Sequence, residues 1–154
     1  MNEISVRKFR LGDEPAISRI IFDTEHYCNM PLDRKTTYEA NHSVETLTRF
    51  IKEKCPEIFI AEIESSPVGV GIRLEDRLLR LHIAQDAIRS GIGSILFKEM
   101  AEGAKQSGYK EAWLKTLRES SAAAIALIKK LGFEIISIEN HENSPGSITC
   151  RIKL

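Results

Sequence analysis

The hydrophobic period of this chain switches between Leu79 and Met100, and that switch limits what the chain can fold into. Leu79, Leu81 and Ile83 alternate with Arg80 and His82, the pattern of a strand with two unlike faces. From Ile92 onward, Ile92, Ile95, Leu96, Met100 and Ala104 recur at three- and four-residue steps, while Lys98, Glu99, Glu102 and Lys105 take the other side. That is an amphipathic helix. A strand that runs through a glycine turn into a helix opens a crossover, so the following strand should return parallel to the first. Gly91 and Gly93 leave the backbone bare where the helix begins, and the first-turn amides there lack intrahelical acceptors. Unpaired N–H groups and the positive end of the helix dipole then point the same way and attract phosphate. Two well-defined phosphate loops are excluded. The dinucleotide fingerprint needs a third glycine where Leu96 stands, and the P-loop needs Gly-Lys-Ser/Thr where Gly93 is followed by Ser94 and Ile95.

The remaining chain supplies the other layers. Ser5 to Arg10 alternates as a first strand with Ile4, Val6 and Phe9 inward. Gly12-Asp13 ends it, and Asp13 is a suitable N-cap for a helix carrying Ile17, Ile20 and Ile21 on one side. Beyond Phe22 the period dissolves for about twenty residues, through His42, into either a disordered surface excursion or a functional loop. Tyr27, Met30, Leu32 and Tyr38 favour the second. Ser43 caps a helix with Val44, Leu47, Phe50 and Ile51 on one face, which Pro56 stops. Ile58 to Ile63, Val68 to Leu74 and Leu78 to Ile83 then read as an antiparallel meander turning at Ser65-Ser66-Pro67 and near Asp76, with Gly69 and Gly71 marking close backbone approach on one face. After Gly108, Glu111 to Leu117 is the parallel partner of strand four. Ser120 or Ser121 caps a last helix, AAAIALIKKL, ended by Gly132, and Phe133 to Ile138 and Ser147 to Lys153 are final strands around the turn NHENSPG. The expected fold is α/β: a mixed, mostly antiparallel sheet of about seven strands with helices on both faces and a parallel pair at strands four and five, in one domain over residues 1–154.

Charge decides how such a chain meets a partner. Lysine plus arginine and aspartate plus glutamate stand at 22 each, so no global field favours nucleic acid or an anionic membrane, and any anion site must be local. No run approaches the roughly 20 apolar residues of a membrane span. The N-terminal MNEISVRKFR alternates and is charged, unlike a signal peptide, which makes the cytoplasm the expected location. Cys28, Cys55 and Cys150 are too scattered for a disulfide framework, and His26-x-Cys28 near His42 has no second ligand pair, so no metal is expected.

The order of elements, with Ile88-Arg89-Ser90-Gly91-Ile92-Gly93 at the third long helix, resembles the GNAT superfamily of N-acetyltransferases. That family's signature there is Arg/Gln-x-x-Gly-x-Gly/Ala, met in both glycines but with Ile88 at its first position. A second block, commonly Asn-x-x-Ala-x-x-x-Tyr-x-Lys-x-Gly-Phe, is met by Ser121, Ala124, Ile128, Lys130, Gly132 and Phe133. The resemblance implies acetyl-CoA as co-substrate, with its pyrophosphate on the glycine turn and its pantetheine beside strand four. Implied contacts are Ile83, Ala84, Arg89, Ser90, Gly91, Ile92, Gly93 and Ser94, with the Ser121 hydroxyl reaching the pantetheine arm. It implies transfer to a primary amine of a small molecule or to a protein N-terminus, by direct attack. Ile128 occupies the position of the tyrosine that, in many relatives, gives the leaving thiolate its proton. Either Tyr27, Tyr38 or a bound water replaces it, or the thiolate leaves unassisted, or transfer is weak and the chain is a CoA-binding sensor or partner subunit. His82, opposite Leu81 and Ile83, reads either as a base near the acyl group or as a packed sheet histidine. Glu25, His26, Tyr27 and Tyr38 lie where the fold usually forms its acceptor pocket. An exposed strand at the C-terminal edge makes a homodimer an expectation.

Overall fold

The computed structural model describes residues 2–117, 122–141 and 144–154. Strands β1 (Ile4–Lys8), β2 (Glu57–Ile63), β3 (Ser66–Leu74) and β4 (Arg77–Ile83) pair antiparallel in succession. Strand β5 (Glu111–Leu117) is parallel to β4, while β6 (Glu134–His141) and β7 (Ser144–Lys153) complete the sheet antiparallel. The order across the sheet is β1-β2-β3-β4-β5-β7-β6. This is the mixed seven-stranded α/β sheet that the alternating stretches predict, parallel only where a helix makes the crossover.

Two apolar layers sandwich the sheet. Helices α1 (Glu14–Phe22) and α4 (Val44–Lys54) bury Ile17, Ile20, Ile21 and Leu47 against Ile58, Ile60, Val70 and Ile72. On the other face α5 (Ile92–Gln106) lays Ile92, Leu96, Met100 and Ala104 on Phe59, Ala61, Leu78, Ala112 and Leu114, joined by Ile128 of α6 (Ala122–Lys130). Each fully buried aliphatic side chain contributes roughly 1.5–3 kcal/mol, so these stripes hold the helices in place. The glycines of β3 let α5 come close. A Cβ on Gly69 would stand 3.0 Å from Ile92 Cγ2, and one on Gly71 would stand 3.1 Å from Met100 Sδ.

The structure departs from the expected elements in several places. Asp13 precedes α1 but does not cap it: its carboxylate takes Arg7 at 2.8 Å and the Arg10 N–H at 2.7 Å, so an ion pair with β1 displaces the cap. β1 accordingly stops at Lys8 rather than Arg10. The unpatterned stretch after Phe22 is neither disordered nor a loop; it holds α2 (Glu25–Cys28) and α3 (Leu32–His42). Of α3 only His42 is buried, so the helix lacks the apolar stripe by which periodicity finds helices. The β2–β3 turn is Glu64-Ser65, both with positive φ, and Ser66-Pro67 already belong to β3. Finally, β6 and β7 continue through most of NHENSPG, with His141 opposite Ser144. Ser43 caps α4 as expected, accepting from the Thr46 N–H, and Gly108 follows α5 with φ +91°. Ser120 and Ser121, expected to cap α6, lie outside the described residues.

Candidate functional site

The parallel pair is brief. β4 and β5 meet at Arg77 and Trp113, where the Trp113 N–H donates to the Asp76 carbonyl at 2.8 Å, and among the described residues no further rung joins them. Among the described residues, β4 therefore has a neighbour on one side only toward its C-terminal end. The Ala84 N–H donates to the Val68 carbonyl at 2.8 Å, which turns the backbone groups of even-numbered β4 residues at this end toward β3. Strand alternation then aims the N–H and C=O groups of Leu81 and Ile83 into the opening beside β5. Unsatisfied main-chain groups in a cleft are sites for an extended ligand that pairs as a strand does.

The opening leads to the glycine turn. A single 3₁₀ turn, Gln85–Ala87, separates β4 from the segment in which Arg89 (φ +68°) and Gly91 (φ +86°) adopt left-handed conformations. For Arg89 this costs roughly 1–2 kcal/mol, strain of the kind that collects at binding sites. The two glycines are needed for different reasons. A Cβ on Gly91 would meet nothing within 4 Å, so its backbone angle is what calls for glycine. A Cβ on Gly93 would stand 2.8 Å from Leu127 Cδ2 and 3.1 Å from Ile83 Cδ1, so there it is space. Among the described residues no side chain caps α5. The Ser90 hydroxyl is taken by the Ala87 carbonyl, and Arg89 is exposed. The first-turn amides of Ile92, Gly93 and Ser94 thus lie at the positive end of a 15-residue helix without a side-chain acceptor, a cradle fit for a phosphate group.

The other face of β4 carries polar side chains. Arg80 and His82 point toward α1 and α3, opposite Leu81 and Ile83, which pack against the α5 layer. On α3, Tyr38 stacks on His42 with centroids 4.0 Å apart and on Tyr27 at 5.8 Å, while the His42 ring stands 6.4 Å from that of His82. The Tyr27 hydroxyl donates to Glu39 Oε1, and that hydrogen bond holds the phenol pKa above its usual value. The Tyr38 hydroxyl is buried without a hydrogen-bond partner among the described residues, and burial raises its pKa. His42 Nδ1 lies 2.7 Å from the Tyr38 carbonyl, which makes Nδ1 the protonated nitrogen. Burial pushes His42 below its usual range and His82 down to about 3, with the Arg80 charge adding to that at His82, so both imidazoles are neutral at pH 7.

These positions sort the expected site residues into two groups. Ile83, Ala84, Arg89, Ser90, Gly91, Ile92, Gly93 and Ser94 run together along the opening and the turn. His82, Tyr27 and Tyr38 gather on the opposite face, whereas Ile128 is buried in the α5 layer beside Phe97 and Phe133. Ser121 and the side chain of Glu25 lie outside the described residues, and His26 is exposed with its ring 5.9 Å from Tyr38. Two members of the second group are added by the fold. His42 ends a segment with no period and gives no signal, whereas Arg80 is a charged residue on a strand face that helices cover, a pattern that does mark it in the sequence.

Residues 24–133, more than half of the chain, match the sequence model of the Acetyltransferase (GNAT) family. The chain belongs to this family. Its fold agrees with solved GNAT structures along almost its whole length. PaiA N-acetyltransferase from Thermoplasma acidophilum, solved in complex with coenzyme A, superposes with a TM-score of 0.82 at 18% identity over 99% of each chain. The ribosomal-protein-S18-alanine N-acetyltransferase of Escherichia coli gives 0.75 at 19% identity, covering 98% of this chain and 94% of that one. Ard1 from Thermoplasma volcanium gives 0.76 at 17% identity, covering 98% and 97%. No curated protein sequence matches the chain. At these identities the superpositions establish the GNAT fold, and the split β4–β5 pair with its uncapped helix is that fold's opening in this chain. Among the described residues, no helix is long and apolar enough to cross a membrane, and no three His, Cys, Asp or Glu side chains converge to hold a metal ion.

Proposed function

We propose that the chain is an acetyl-CoA-dependent N-acetyltransferase, a single acyltransferase domain over residues 1–154 that acetylates a primary amine of a small molecule or a protein N-terminus by direct attack. The observation that carries this is the opening itself: the bare Leu81 and Ile83 edge of β4 continues into the unpaired amides of Ile92 to Ser94. Membership of the GNAT family and the coenzyme A bound in the PaiA structure support the same reading. Acetyl-CoA supplies an activated thioester. The turn amides and Arg89 hold its phosphates, the β4 edge aligns its pantetheine arm, and the Leu81 and Ile83 N–H groups offer donors where charge develops on the thioester oxygen.

The acceptor must arrive as a neutral amine although its ammonium has a pKa near 10. His82 faces the acceptor side and is too weak a base, at about 3, to hold that proton near pH 7, so it hydrogen-bonds the amine or a water that carries the proton to solvent. Ile128 donates nothing to the departing thiolate, and Tyr27 and Tyr38 are on the far side of the sheet from it, so solvent protonates the thiolate. The rate consequence is a kcat/KM that climbs with pH through neutrality toward the pKa of the acceptor. A plateau near pH 6.5 would instead mark a histidine of ordinary pKa as the base.

Calorimetry with acetyl-CoA tests the binding half, and absence of binding at millimolar ligand overturns it. Thiol release over an amine panel tests transfer. The buried Ile128 favours one second reading, a GNAT-fold CoA sensor or partner subunit with little turnover. Turnover above background with any amine removes that reading. A cytoplasmic location and a homodimer through the β6 edge, where Ile135, Ile136 and Ile138 are exposed, complete the proposal, and sedimentation equilibrium tests the dimer.

A further inference from the structure

On the acceptor side, Arg80 has no counterion among the described residues. Arg80 pairs in register with Ile72 of β3 and shares the His82 face of β4, half-buried beneath α3. Among the described residues it makes no hydrogen bond and no ion pair. Other partly buried arginines are held by carboxylates: Arg7 by Asp13 and Glu62, Arg73 by Glu57, Arg151 by Glu134. A half-buried guanidinium without an anion leaves its charge to whatever enters from solvent, whereas at those other positions the chain supplies a carboxylate itself. Around Arg80 stand Tyr38, His42 and His82. All three are neutral near pH 7, and the Tyr38 hydroxyl is itself buried with no partner. The cluster therefore offers a fixed positive charge and a free O–H donor, with no anion among the described residues to receive them.

We infer that Arg80 and the Tyr38 hydroxyl receive a carboxylate carried by the acceptor, which makes the acceptor a small amino acid whose amine is acetylated. This rests on the acetyl-transfer reading above and narrows it. Arg80 and Ile83 are three strand residues apart, about 10 Å along β4. With about 3 Å of that taken by the salt bridge, an amine several methylenes from its carboxylate spans the rest to the thioester. A polyamine, by contrast, brings a second cation toward an uncompensated guanidinium and is repelled.

The probes are the ω-amino acids from β-alanine to 6-aminohexanoate, each paired with its uncharged carboxamide. In thiol-release assays with acetyl-CoA, at least one acid is expected to exceed its amide by about 10- to 100-fold in kcat/KM, the range of a hydrogen-bonded charge pair. Arg80→Gln should bring that ratio close to one, and Arg80→Lys should retain part of it, with circular dichroism confirming that both variants fold. A wild-type ratio near one across the series, or an unchanged ratio in Arg80→Gln, overturns the inference. Preference for a peptide with an acidic side chain over every ω-amino acid overturns the small-acceptor assignment. Thermal unfolding without acetyl-CoA separates the two layers: the acid, but not its amide, should raise the midpoint of the wild type and leave Arg80→Gln unmoved. If that shift persists while acetyl-CoA fails to bind, acetyl transfer falls and the carboxylate site stands. Turnover of amines without acid preference does the reverse.

Discussion

The two faces of β4 hold candidate sites made in opposite ways. Toward α5 the candidate site is backbone: a strand edge left open because, among the described residues, β5 pairs with β4 only at Trp113, and a helix start that no described side chain caps. Toward α3 it is side chains: the rings of Tyr27, Tyr38, His42 and His82 in contact across elements far apart in sequence, with Arg80 on the same face of β4. Backbone geometry binds what every member of a family shares, such as a diphosphate, because amides recognise the group without naming its bearer. Side chains select. The proposed nucleotide half of this GNAT protein should thus fail through shape and the proposed acceptor half through charge, and the two should be separable by mutation.

The largest separation is expected from Gly93→Val. The branched side chain would press into Leu127 and Ile83, where even a Cβ stands 2.8 Å from Leu127 Cδ2, and would displace the start of α5 from β4. Calorimetry should show acetyl-CoA affinity falling by about 100-fold or more, since overpacking of this kind costs roughly 1–3 kcal/mol and the shifted amides lose the phosphate as well. The carboxylate-dependent thermal shift assigned to Arg80 should survive. If both vanish in a folded variant, the halves are one cooperative unit and the contrast between them is lost.

His82→Gln probes the acceptor half through pH. Burial depresses the His82 pKa from 6.5 to about 3, so the folded state binds fewer protons than the unfolded chain between those values. The stability of the wild type is therefore complete above pH 6.5 and declines as pH falls toward about 3, by up to about 1.4 kcal/mol per pH unit. Urea titrations at pH 7 and pH 5 should show a smaller loss for His82→Gln than for the wild type. Equal losses would mean that His82 is solvated and that water reaches the face around Arg80.

A smaller effect, about 1 kcal/mol, is expected from Ser43→Ala, because the Ser43 hydroxyl accepts from the Thr46 N–H at the start of α4. In a chain of this size that lowers the thermal midpoint by about 2–4 °C. Ser43 follows His42 directly, so loosening the α3–α4 joint should weaken acceptor-side probes and leave acetyl-CoA affinity alone. A change in acetyl-CoA affinity would show the two faces communicating through the sheet.

The same contrast explains which parts of the molecule are legible in its sequence. Elements with a strong period, such as Ile92 to Ala104 or the β2–β4 meander, announce themselves because burial on one face imposes a spacing. The glycine turn is legible for a related reason, since Gly91 and Gly93 answer geometric demands that few residues meet. Helix α3 is not legible. Its residues Asp33, Arg34, Thr36 and Thr37 are exposed, and it is fixed by ring stacking and by the Ser18 hydroxyl on the His42 carbonyl, contacts that leave no period behind. Asp13 misleads because a good N-cap residue is also a good partner for an arginine, and Arg7 lies within reach. The proposed acceptor face is hidden for the same reason as α3: it joins residue 38 to residue 80, and only the fold brings them together.

The smallest effect, and the finest test of the backbone half, belongs to Arg89. Its left-handed φ of +68° is strained for arginine, so Arg89→Gly relieves roughly 1 kcal/mol in the folded state. Glycine also frees the unfolded chain by about 0.5–1 kcal/mol, so the two changes nearly cancel and the unfolding midpoint should barely move. What remains is the charge. An exposed guanidinium beside a phosphate contributes little, on the order of 0.5–1 kcal/mol, so acetyl-CoA binding should weaken about two- to five-fold at low salt. That difference should vanish near 1 M salt, where the screening length is about 3 Å. Pantetheine, which lacks the diphosphate, should bind wild type and variant alike at any salt. A loss of pantetheine affinity in Arg89→Gly would mean that the arginine shapes the turn, and the line between a backbone site and a charge site would have to be drawn elsewhere.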